Sequence, residues 1–146
     1  MATIKHVVVE ARMGERFKIE STIGNHTVVV DQPKSGGGDD AGPTPLEYFF
    51  LSLAGCFATI ARIAAKQKRI NLRGMDVKVE GELDVEGLLG RNPDAQSGFR
   101  GITVRAKIDA DLTHEQKREF LKEVDERCPV SDNLRQVTSL VTEVVE

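Results

Sequence analysis

Cysteine is scarce in this chain, with only two among 146 residues. That excludes a small domain held by a disulfide framework. In a reducing compartment such a pair is inert core, metal-binding or redox-active. No Cys-x-x-Cys occurs, and His6, His26 and His114 lack ligand spacing, so no zinc and no other cofactor is expected. An excess of basic residues is missing too. Net charge is −3, and Lys and Arg are scattered beside Asp and Glu, which disfavours a nucleic-acid partner. A long uncharged apolar run is also lacking. The most apolar segment, Tyr48 to Ala61, is bracketed by Glu47 and Arg62 and is shorter than a bilayer requires, so no membrane partner is expected. The first residues, Met1 to His6, show no basic stretch followed by an apolar one, as a signal peptide would. A cytoplasmic location is the expectation. No internal repeat and no linker composition appear, which predicts a single domain over residues 1–146.

What is present is a patterned α+β chain. At 40% hydrophobic residues it has material for a core, and at 29% charged residues it has an ordinary soluble surface. Alternation predicts a strand over residues 5–10, a turn over 12–15, a second strand over 17–22, a tight turn at Gly24-Asn25 and a third strand over 27–30. Together these read as an antiparallel meander. Residues 33–43 have the most flexible composition in the chain and predict a mobile loop. Its glycine run lacks the Lys-Ser/Thr ending of a phosphate cradle and carries two aspartates.

A helix then announces itself. Thr44 suits the N-cap, Pro45 the first helical position, and Glu47 completes a Thr-x-x-Glu capping box. It can run to Lys68, about 35 Å. Apolar residues lie nearly all round it, which predicts a long, central, buried helix. Its many small residues would let another helix approach. Two alternating strands follow, over 77–83 and 102–108, separated by a long loop over 85–99. Thr113 to Gln116 is a second capping box, and the helix it opens must stop near Arg127, because the residue before Pro129 is pushed out of the helical region. A short helix over 132–136 and a final strand over 137–145 complete the expectation. Strands, long helix, strands, helix, strand is an α+β order.

The two cysteines fall at telling places, Cys56 in the middle of the long helix and Cys128 where the later helix stops. Composition alone favours a pair of buried small hydrophobes. The surrounding residues add more. Gly42-Pro43-Thr44-Pro45-Leu46-Glu47, followed by Leu53-Ala54-Gly55-Cys56, resembles the helix start of the OsmC/Ohr family, and Cys128-Pro129-Val130 resembles that family's second-cysteine motif. The order of elements is similar over nearly the whole chain, and the form of the first motif is nearer to the OsmC-like branch.

The resemblance implies an intertwined homodimer with antiparallel sheets wrapped around the long helix, and a thiol-dependent peroxidase acting on small, organic hydroperoxides. Cys56 would attack the peroxide and become a sulfenic acid, Cys128 would condense with it to a disulfide, and an external dithiol would restore both. A mid-helix thiol gains nothing from the helix dipole, and burial disfavours its thiolate, so a cation must be supplied. The family uses an arginine from its N-terminal strands, held by a glutamate at the helix start. Alignment of the turn puts Arg12 in that place and Arg16 second. Glu47 is the corresponding glutamate, although relatives commonly carry it at the position of Leu46. On a regular helix Glu47 lies about 180° around and about 13 Å along from Cys56, and the capping box explains it without catalysis. Phe49, Phe50, Leu53, Phe57 and Ile60 are available as apolar walls or as plain core. Two other readings stay open: a non-catalytic dimer that binds an apolar ligand, and a slow thiol sensor.

Overall fold

A computed structural model describes residues 1–146. The chain forms two compact units, Met1–Phe49 and Phe50–Glu146.

The first unit holds a three-stranded antiparallel sheet in the order β1 (Arg12–Met13), β2 (Ile19–Ile23), β3 (His26–Val30). Ile23 pairs with His26 across a two-residue turn, and Gly24 there takes φ +59°, a value that favours glycine. The meander is present, but shorter than the sequence suggests. The expected strand over 5–10 does not form, and Ile4, Val7, Val8 and Val9 are exposed. Arg12 and Met13, read as part of a turn, instead pair with Glu20 and Ile19. Apolar alternation permits a strand, but a strand also needs an edge to bond to, and residues 5–10 have none in this unit.

Residues 33–43, expected to be a mobile loop, close around one buried carboxylate just before them. Asp31 is 1% exposed and accepts hydrogen bonds from the backbone N–H groups of Gln32 (2.7 Å), Ala41 (3.0 Å) and Asp39 (3.3 Å). These bonds hold its carboxyl below the usual carboxylate range. Two glycines let the backbone close on itself. A Cβ on Gly38 would sit 2.1 Å from the Gln32 carbonyl oxygen, and one on Gly42 2.3 Å from that of Val29. From outside, Arg16 donates to both oxygens of Asp39, at 3.0 and 2.7 Å. The glycines that made the segment look flexible are what allow its close contacts.

The long helix α1 spans Pro45–Lys68 as expected, starting in the first unit and continuing through the second. Leu53, Phe57, Ala61, Ala64 and Ala65 are its buried residues and form one stripe at helical spacing. The expectation of burial on all sides is corrected, since Leu51 (61% exposed) and Ile63 (41%) face outward. Taken whole, its 24 residues are long and apolar enough to cross a membrane by length and composition, although the stripe packs as a core helix does. In the second unit β4 (Leu72–Leu83) and β5 (Phe99–Ala110) form a twelve-residue antiparallel pair, from Leu72 opposite Ala110 to Leu83 opposite Phe99. The connection carries one short helix, α2 (Val85–Leu88), capped by Asp84.

α3 (His114–Arg127) opens on the expected Thr113/Gln116 capping box and buries Phe120 and Val124. α4 (Pro129–Arg135) follows directly and begins three residues earlier than the sequence suggests, because Pro129 itself serves as the first helical residue. The core gathers the α1 stripe with Leu72, Ile108, Ala110, Phe120, Val124 and Cys128. The final strand expected over 137–145 is absent. Those residues have no regular structure, and Val137, Leu140, Val141, Val144 and Val145 are exposed.

Candidate functional site

Cys56 is packed against the core from the middle of α1 and is partly exposed. Cys128 is completely buried, at 0% exposure. Its backbone explains why. Before Pro129 it takes φ −78° and ψ 114°, so it is at once the C-cap of α3 and the N-cap of α4. As an N-cap it accepts the Ser131 N–H on its sulfur at 3.4 Å, the place a serine or aspartate oxygen usually fills.

Both cysteines are free thiols, both belong to the same core cluster, and Cys56 is near enough to act on the Cys128 thiol. Burial first and the neighbouring Cys56 second push the Cys128 thiol up from 9.0 to about 11, against the opposing pull of the Ser131 and Val130 N–H groups. Cys128 is therefore protonated at neutral pH. The two thiols differ in access, Cys56 being partly exposed and Cys128 fully buried. Under brief treatment with iodoacetamide at pH 8, peptide mapping of the native chain is expected to find Cys56 modified and Cys128 spared. Labelling of Cys128 should rise only as pH approaches 11. Labelling of Cys128 at pH 8 as fast as a free cysteine contradicts this.

The other sequence-derived residues are placed as follows. Arg12 lies exposed in β1 and makes no ion pair, whereas Arg16 is taken up by Asp39. Glu47 forms the capping box: its Oε1 accepts from the Thr44 N–H (3.0 Å) and hydroxyl (2.8 Å), and its own N–H donates to Thr44 Oγ1 (3.3 Å). Those two donors hold its carboxyl below the ordinary range. No arginine bonds to it. Leu53 and Phe57 are buried core, and Phe50 packs on Phe99 with ring centroids 4.5 Å apart.

Sequence reasoning passed over three residues beside Cys128. Ser131 Oγ donates to Asp125 Oδ1 at 2.5 Å. Arg135 Nη1 donates to the same oxygen at 2.8 Å and to Ser131 Oγ at 3.0 Å, while Nη2 pairs with Asp125 Oδ2. Ser131 could have been found, since Cys-x-x-Ser puts it at the third position of a helix capped by Cys128. Asp125 and Arg135 lie on different helices across Pro129, and no periodicity links them.

The fold and site thus define a class: an α+β protein with two free thiols in one core cluster, one on a long helix and one at a helix–Pro–helix junction. The family follows from comparison. The model of the OsmC-like protein family matches residues 37–143, well over half of the chain, and the chain belongs to that family. Among solved structures it is similar to an OsmC-like protein of Mycoplasma pneumoniae (23% identity, TM-score 0.80, covering 92% of this chain and 91% of that one). It is also similar to an organic hydroperoxide resistance protein OsmC of Legionella pneumophila (23%, 0.69, 92% and 92%). A third is the organic hydroperoxide resistance protein OhrB of Bacillus subtilis (25%, 0.59, 89% and 90%). No curated protein sequence matches the chain.

Proposed function

We propose that this chain is a thiol-dependent peroxidase that reduces hydroperoxides, organic ones foremost, and so protects against oxidative stress. The observation that carries the reading is the neighbouring pair of free thiols in one core cluster, Cys56 partly exposed and Cys128 buried and held protonated. Family membership and neighbours named for organic hydroperoxide resistance support it. The Cys56 thiolate attacks the terminal peroxide oxygen, the O–O bond breaks, and the alkoxide leaves and takes a proton from solvent to become an alcohol, with Cys56 oxidised to a sulfenic acid. The Cys128 thiol then attacks that sulfur. An S–S bond forms, the S–O bond breaks, and the thiol proton departs with the hydroxyl as water. An external dithiol reduces the disulfide and is itself oxidised to one. Arg12 is the cation assigned to support the Cys56 thiolate, since Arg16 is already engaged. Glu47 serves first as a cap. A cytoplasmic setting, where thiols stay reduced, suits this cycle.

The test is mass spectrometry after one equivalent of cumene hydroperoxide, which should show a Cys56–Cys128 disulfide and loss of two hydrogens. Thiols left intact would sink the peroxidase reading and favour a ligand-binding protein, for which Leu46 at the usual glutamate position speaks.

We also propose a homodimer. The exposed apolar residues of both termini and of the outer α1 face are more than a monomer ordinarily leaves in water. An obligate pair buries about 2,000 Å² or more. Light scattering at micromolar concentration is expected to give twice the chain mass of 16.1 kDa, and a monomer there refutes the proposal.

A further inference from the structure

The thiol chemistry above depends on where the Cys128 sulfur points, and α4 sets that direction. α4 is poorly anchored by packing. It has seven residues, its one buried residue is Ser131, and Leu134 is 41% exposed. Pro129 fixes its own φ and keeps Cys128 in the extended region, but within that region it leaves ψ at Cys128 some tens of degrees of play. Apolar contact alone would let the junction swing.

What holds it is a closed set of polar contacts across the junction. Asp125, in the last turn of α3, receives the Ser131 hydroxyl and the Arg135 guanidinium, and Arg135 also donates to Ser131 Oγ. The backbone closes the same junction, with the Cys128 N–H donating to the Asp125 carbonyl (3.3 Å) and the Asp132 N–H to that of Cys128 (2.9 Å). The Ser131 whose hydroxyl is fixed by Asp125 is also the residue whose amide N–H bonds to the Cys128 sulfur. One residue therefore joins the polar set to the thiol.

We propose that Asp125, Ser131 and Arg135 are positioning residues that clamp the α3–α4 junction so that the Cys128 sulfur faces Cys56, and so govern the step that joins the two sulfurs. This rests on the dithiol reading of the site. The clamp touches neither peroxide nor Cys56, so it leaves the first oxidation alone. It acts on the condensation of Cys128 with the Cys56 sulfenic acid, a step whose rate depends steeply on how closely and how constantly the two sulfurs are held. A displacement of about 1 Å is worth on the order of a hundredfold in such a step. The same constraint favours the disulfide at equilibrium, because the reduced pair is already ordered.

Arg135→Gln and Ser131→Ala test it. Stopped-flow oxidation with one equivalent of cumene hydroperoxide resolves Cys56 oxidation from disulfide formation. Both variants are expected to keep the first phase within twofold of wild type. The second phase should slow at least tenfold, with a matching rise in dimedone-trapped Cys56 sulfenic acid. Equilibration against dithiothreitol should shift tenfold toward the dithiol, about 30 mV for this two-electron couple. A wild-type second phase in both variants overturns the clamp, and so does an equal slowing of both phases, which marks a general structural role. Diamide separates this proposal from the peroxidase reading, because it oxidises two thiols to a disulfide without peroxide and is itself reduced to the hydrazine. If wild type ignores peroxide, the peroxidase reading fails, and the clamp still stands or falls on whether the variants slow diamide-driven disulfide formation tenfold. If diamide also yields no Cys56–Cys128 disulfide in wild type, the clamp fails as well.

Discussion

Cys56→Ser is expected to reduce hydroperoxide consumption to background, whereas Cys128→Ser should complete one oxidation and stop with a trappable sulfenic acid at Cys56. The asymmetry comes from the two environments. Cys56 is partly exposed, and it lies beside a thiol that stays protonated to about pH 11. Cys128 is fully buried and pays no visit to solvent, so peroxide does not oxidise it first. A serine hydroxyl at 56 has neither the acidity nor the soft nucleophilicity of a thiolate, and nothing else nearby can take its place. A serine at 128 removes only the group that converts sulfenic acid to disulfide, and the exposed intermediate should then run on to sulfinic acid under excess peroxide. Arg12→Ala should slow the first step tenfold or more at pH 7, the loss of about 1.4 kcal/mol of thiolate stabilisation. Arg16→Ala should leave it near wild type, because that side chain is spent on Asp39. Peroxide assays and dimedone labelling of the four variants decide the matter, and wild-type turnover by Cys56→Ser would end the peroxidase reading.

Gly38→Ala and Gly42→Ala are expected to be the most destabilising of the small substitutions in this chain. A methyl at 38 would lie 2.1 Å from one carbonyl oxygen and 2.8 Å from Asp31 Oδ1, and one at 42 would lie 2.3 Å from another carbonyl oxygen. These are backbone atoms and a carboxylate oxygen held by backbone N–H groups, none free to rotate away, so the loop must open. Opening takes the Ala41 and Asp39 N–H groups from a carboxylate that is 1% exposed, and a buried charge without its donors is costly. Each substitution should cost at least about 2 kcal/mol, a fall in Tm of roughly 4–8 °C for a chain of this size. Gly14, where a Cβ meets nothing within 4 Å, is the control, and its replacement by alanine should stay within about 0.5 kcal/mol. Thermal melts by circular dichroism read both. Equal Tm values for Gly14→Ala and Gly38→Ala would show that the loop does not depend on this approach. Acid should act on the same contacts. Asp31 titrates below 3.8 in the folded chain, so its contribution is complete above that value and is lost as pH falls through the lower, folded one.

Much of this protein was legible in its residues one neighbourhood at a time. Thr44 with Glu47 and Thr113 with Gln116 mark helix starts because a cap is a contact between residues three apart. Pro129 marks a helix end through its clash with the residue before it, and the alternating faces of β4 and β5 follow from a two-residue repeat. The cysteine motifs pointed to the family for the same reason, since each is a short run. Tertiary structure decided the rest. Residues 5–10 and 137–145 have the composition of strands but stay unpaired, because a strand requires an edge that composition does not supply. Residues 33–43 read as slack, yet Asp31 draws three N–H groups from up to ten residues away. The outer face of α1 looked as apolar as the inner one, and only the packing of β4, β5 and α3 determined which of them is covered. The rise of the Cys128 thiol to about 11 depends on burial and on Cys56, seventy-two positions earlier, and the Asp125–Arg135 contact depends on how the chain turns at Cys128. Local propensity needs only adjacent residues, whereas the two thiols acquire different chemistry from neighbours that folding brings to them.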